Sequence, residues 1–95
     1  MNCGQVFFSA HAILRMIERG IGRDEIVSVV KSGEALLAYP DDSPLPSVLM
    51  FGMAGNRPLH VVIAVDKANG KCHVITVYEP DPAKWHEDFK TRKST

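Results

Sequence analysis

The 95-residue chain carries no excess of either charge, only two cysteines and a single tryptophan, with 11 Lys+Arg set against 11 Asp+Glu. A net charge of zero argues against affinity built on massed phosphate contacts, which goes with a clear basic excess. Apolar stretches such as Val61–Val65 fall far short of the roughly 20 residues that cross a bilayer. The first residues also lack a basic segment followed by an apolar one. The expectation is a cytoplasmic protein with no membrane partner. Cys3 and Cys72 are too few for a disulfide framework and read as inert thiols. No CxxC, HxxxH or CxxH spacing joins them to His11, His60, His73 or His86, so no metal and no cofactor is expected. A zinc site using Cys72 and histidines stays as a minor alternative.

A chain this short buries about 60–65% of the surface its unfolded form exposes. It therefore reads as a single domain over residues 1–95, with any site built on the core scaffold. Ser9 is a good N-cap for a helix over Ala10–Arg19 that Gly20 would end. On a helical projection Ala10, Ile13, Leu14, Met16 and Ile17 form an apolar arc, and His11, Arg15, Glu18 and Arg19 a polar one. A second helix fits Arg23–Ser32, with Asp24 and Glu25 in its first turn and Gly33 at its end. Four strands then follow at Ala35–Tyr39, Ser47–Met53, Leu59–Val65 and Cys72–Tyr78, joined by Pro- and Gly-rich turns. Asp81 and Pro82 suggest the start of a short terminal helix with Trp85 and Phe89 as its anchoring face. The expected class is α+β, with two N-terminal helices packed on a four-stranded antiparallel sheet and a short C-terminal helix.

Strand alternation puts Leu59, Val61, Ile63 and Val65 against the helices, and His60, Val62, Ala64 and Asp66 on the opposite, more open face. On the neighbouring strand Cys72, Val74, Thr76 and Tyr78 would share that open face. His60, Thr76 and Tyr78 then converge near one end of the sheet, with Arg57 close by. Metal-free RNA cleavage needs a group to take the 2′-hydroxyl proton, a group to protonate the leaving 5′-oxygen, and a cation for the phosphate. His60, Tyr78 and Arg57 supply those chemistries as candidate catalytic residues. His11 and Arg15, four apart and adjacent on the first helix, and Arg19 are candidates for binding substrate.

Several separated blocks also resemble one family. They are Phe8-Ser9-x-His11-Ala12-x-x-Arg15-Met16-x-x-Arg19-Gly20-Ile21, Gly33-Glu34, Tyr39-Pro40-Asp41-Asp42, Arg57-Pro58-Leu59-His60-Val61-Val62, and Ile75-Thr76-Val77-Tyr78-Glu79-Pro80-Asp81 with Trp85. In order and spacing they resemble the DUF4258 family of small bacterial and archaeal proteins. The resemblance implies a fold like that of RelE-like toxins in the wider barnase and RelE grouping. It also implies a toxin acting as a metal-independent endoribonuclease on mRNA, with RNA and a small zinc-finger antitoxin encoded nearby as partners. The family's motif positions fall on His11, Arg15, Arg19, Arg57, His60 and Tyr78. The competing expectation is a non-catalytic protein-interaction module.

Overall fold

The computed structural model describes residues 1–94. In chain order it contains β1 (Gln5–Phe8), α1 (Ala10–Arg19), α2 (Arg23–Ser32), β2 (Glu34–Tyr39), β3 (Ser47–Ala54), β4 (Arg57–Asp66) and β5 (Lys71–Tyr78). The strands form one sheet in the order β1-β5-β4-β3-β2. Its four later strands are an antiparallel meander, and β1 is added to its edge parallel to β5. Both helices lie on one face, α1 along β5 and α2 across β3 and β4. Between them and the sheet Leu59, Val61, Ile63, Val74 and Val77 are fully enclosed with Ile26 and Val30. Gly52 lets α2 come this close, since a Cβ there would stand 2.9 Å from a methyl group of Val29.

The sheet is thus five-stranded and mixed, not four-stranded and antiparallel, and the expected C-terminal helix is not formed. Strand β1 has only four residues and no clean polar–apolar alternation, so local pattern does not announce it. Its place comes from tertiary partners. Val6 and Phe8 pack on the core, and the amides of Gly4 and Gln5 donate to the Gly70 carbonyl. Cys3 is joined to Cys72 on β5 by a disulfide with the two Cα atoms 5.7 Å apart. That bond overturns the reading of both cysteines as free thiols, and it removes Cys72 from any zinc site.

At the other end, Asp81 does start a turn, its side chain accepting from the Ala83 amide and its carbonyl from the Lys84 and Trp85 amides. The helix does not propagate because the next amide, His86, donates instead to Thr91, and Lys93 donates back to Lys84. The Asp88 carboxylate closes this loop on the amides of Lys90 and Thr91 and on the Thr91 hydroxyl. Residues 79–94 therefore form an irregular strap, pinned to the sheet by Trp85 and Phe89.

Two face assignments also change. The ladder between β4 and β5 slips between Val62 and Ile63, which pair with Thr76 and Val74 and leave Ile75 as an extra residue. Thr76 and Tyr78 stay beside Val62 and His60, but Cys72 and Val74 turn into the core. Helix α1 is rolled about its axis, so that Ala12 is its fully buried residue while Ile13, Leu14 and Ile17 are 45%, 58% and 74% exposed.

Candidate functional site

The roll of α1 has a cause in hydrogen bonding. Beyond Val74, the end of its pairing with β1, strand β5 has bare carbonyls on its outer edge. The Ser9 hydroxyl donates to Ile75 at 2.9 Å while also capping α1 through the Ala12 amide. At the opposite end of α1, the Arg19 guanidinium donates to the Val77 carbonyl at 3.0 Å. Side chains of α1 thus replace a sheet neighbour, which protects an edge that would otherwise pair with another chain. Ser9, Ala12 and Arg19 must all face β5, and the Ile13–Leu14–Ile17 side is turned to solvent.

Arg57 is engaged in the same way. It precedes Leu59 by two on β4 and so reaches the helix-covered face, opposite to His60. Its guanidinium donates to the carbonyls of Arg19 and Gly20 at 3.2 and 3.1 Å, and to both carboxylate oxygens of Glu25 at 3.0 and 3.2 Å. Those carbonyls end α1, where the helix leaves acceptors unpaired and favours a cation. Gly20, at φ 62°, closes the same turn. Glu25 also caps α2 through the Gly22 amide. That amide first, and the Arg57 guanidinium as well, hold the Glu25 carboxyl below its ordinary range against a smaller opposing effect of burial. One arginine thus ties the end of α1 to the start of α2 and to β4.

His60 lies on the far face, entirely enclosed. The Trp85 ring stands edge-on at 4.5 Å between centroids, with Tyr78 at 5.3 Å and Phe51 at 5.9 Å. Nε2 lies 2.7 Å from the Phe89 carbonyl oxygen, which can only accept, so Nε2 carries the hydrogen. Nδ1 is then free to accept from the Tyr78 hydroxyl at 3.4 Å. Burial lowers the imidazole pKa from its ordinary value, partly offset by the bond to Phe89. Burial, and then the phenol of Tyr39, raise that of Tyr78, while Arg92 works the other way. The surface recess formed by the strap is lined by Pro82, Trp85, His86, Glu87, Asp88, Phe89 and Lys93. Neither His60 nor Tyr78 opens into it.

The structure therefore brings together His60 and Tyr78 and separates Arg57 from both. Arg15 remains on the outside of α1, paired to Glu18 at 2.6 Å, and His11 is exposed beside it. Among the described residues no group of three or more His, Cys, Asp or Glu side chains is placed to hold a metal ion. Nor, among the described residues, is any helix long and apolar enough to cross a membrane.

A family profile described as a domain of unknown function, DUF4258, matches residues 8–79. The chain belongs to the DUF4258 family. No curated protein and no solved structure matches it. The DUF4258 match takes in Ser9, Arg19 and Arg57, which tie the helices to the sheet, along with His60 and Tyr78. It ends at Glu79, where the strap that covers His60 begins. Sequence reasoning missed that cover, although Trp85 and Phe89 at a four-residue spacing were its visible signal. It also missed the outward face of α1, whose rotation depends on hydrogen bonds to β5 that no helical projection contains.

Proposed function

We propose that this DUF4258 protein is a protein-interaction module that docks a partner chain through the outward face of α1. The observation that carries the reading is the exposed row Ile13, Leu14 and Ile17 on a helix whose opposite side, at Ala12, is packed against the sheet. Three contiguous aliphatic side chains left in water beside a full core are an unusual expense for so small a domain. The cations that would serve phosphate chemistry point the same way. Arg19 and Arg57 are held on backbone carbonyls and Glu25, and Arg15 on Glu18. Zero net charge fits a protein partner better than a polyanion. The test uses the tagged chain and its Leu14→Asp, Ile17→Asp variant as baits in the native host. A partner held by the first and lost by the second supports docking; equal capture by both rejects this surface.

A second reading is a metal-independent endoribonuclease, a toxin restrained by a small zinc-finger antitoxin encoded nearby. The approach of the Tyr78 hydroxyl to His60 Nδ1 favours it. His60 would take the 2′-hydroxyl proton as that oxygen attacks phosphorus, and Tyr78 would protonate the departing 5′-oxygen, leaving a 2′,3′-cyclic phosphate. The strap must first leave His60 for RNA to enter. Cleavage of labelled RNA by the chain, abolished by Tyr78→Phe, would establish this reading, and intact RNA at low salt would remove it.

A further inference from the structure

We infer that the partner of α1 is a second copy of the same chain, the two α1 helices packing antiparallel about a twofold axis at Leu14. The inference rests on the docking role proposed above and on the order of side chains along the exposed face. From Leu14, His11 lies three residues toward the start of α1 and Glu18 four residues toward its end, about 4.5 and 6 Å away along the axis. Both sit on the same flank of the exposed row, because residues 11, 14 and 18 follow one side of the helix. Ala10 and Ile17 lie on the other flank, four residues before and three residues after Leu14.

A twofold axis that lays one such helix face-to-face on its copy reverses direction but keeps each flank on its own side. His11 then meets Glu18 of the second copy at both ends of the contact. The small Ala10 faces the large Ile17, and Leu14 meets Leu14 on the axis. Hydrogen-bonding capacity and size are therefore both self-complementary in this arrangement, an imidazole N–H meeting a carboxylate at each end. A parallel pairing would instead exchange the flanks, setting Glu18 beside Ile17 and His11 beside Ala10 of the second copy, so that neither polar side chain finds a polar partner. Within each copy Arg15 already holds Glu18 at 2.6 Å, so the carboxylate is oriented on that flank before the second copy arrives. Two chains of zero net charge approach without mutual repulsion.

The experiment is sedimentation equilibrium of the full, oxidised chain from micromolar to millimolar concentration, with four variants. Wild type should show a monomer–dimer equilibrium. Leu14→Asp, which sets two carboxylates together on the axis, should raise the dissociation constant about a hundredfold or more. Glu18→Lys should weaken the dimer, and adding His11→Glu to it should restore the dimer by giving the new lysine a carboxylate to face. Leu14→Cys should form a covalent dimer on oxidation, because Cys3 and Cys72 are already paired. Circular dichroism checks that each variant is folded, which the exposure of positions 11, 14 and 18 favours. A monomer throughout, or a dimer indifferent to Leu14→Asp, overturns the inference. If that monomer still holds a different protein through Leu14, the docking role stands and only the second copy fails. If no association of any kind depends on Leu14, both fail.

Discussion

Replacing His60 by alanine should loosen the whole lower face of the sheet, because the imidazole is what the strap is fastened to. The ring is fully enclosed against Trp85 at 4.5 Å and Tyr78 at 5.3 Å. Deleting it removes packing worth about 2–3 kcal/mol, taking the lower part of the range for aromatic truncations. It also leaves the Phe89 carbonyl without its 2.7 Å donor, a loss of about 1–2 kcal/mol. The sum, about 3–5 kcal/mol, is a large share of the roughly 5–14 kcal/mol expected for a domain of this length. The melting temperature should fall on the order of 15–30 °C. Trp85 is the chain's single tryptophan and is 5% exposed, so its fluorescence reports the strap directly. Emission should be blue in wild type and shift to the red in His60→Ala below the melting transition. His60→Leu, which refills the space without a donor, should recover most of the packing loss and leave about 1–2 kcal/mol. A melting temperature within a few degrees of wild type in His60→Ala, with emission still blue, would refute the structural role assigned to this histidine.

Arg57→Met should cost about 1–2 kcal/mol in urea unfolding, since its partners are half-exposed and screened. A double-mutant cycle with Glu25→Gln should show coupling below that total, the remainder belonging to the carbonyls of Arg19 and Gly20. Reduction of Cys3–Cys72, whose partners are 69 residues apart, should lower stability by about 2–4 kcal/mol. Hydrogen exchange should show β1 opening first. Acid should act in two stages. Burial depresses the His60 pKa, so the unfolded chain takes the proton first; stability is complete above about pH 6.5 and falls as pH drops below it. Within that window the loss is about 1.4 kcal/mol per pH unit until His60 titrates in the folded state. Asp88, held at about 2 by the amides of Lys90 and Thr91, keeps its loop to lower pH. The Thr91 amide resonance should therefore move only as pH falls from about 4 toward 2.

The meander was readable because its signals are local. Turns at Gly55-Asn56 and Asn69-Gly70 separate strands whose apolar alternation, clearest from Leu59 to Val65, fixes one face. Helix ends were readable for the same reason, with Ser9 and Gly20 acting on adjacent amides and carbonyls. Strand β1 was not, because four residues bound to an edge from the far end of the sequence leave no periodicity. The slip at Ile75 reversed the faces of Cys72 and Val74, as one extra residue does to everything beyond it. At the candidate site, the nearness of His60 and Tyr78 followed from alternation alone. The engagement of Arg19 and Arg57 could not, because both meet backbone carbonyls, and a carbonyl has no signature in the sequence. From spacing alone the same polar set reads as phosphate ligands or as ties between elements.

The central claim is that the motif's polar residues hold the fold together while the outward face of α1 does the work. A methyl and aromatic NMR titration tests it in one series, adding unlabelled chain to labelled chain and, separately, a short RNA. The account predicts that added chain moves the methyl signals of Ile13, Leu14 and Ile17, and that RNA leaves the rings of His60 and Tyr78 where they were. Signals of His60 and Tyr78 that move with RNA, while those of Ile13, Leu14 and Ile17 stay fixed in both titrations, would contradict it.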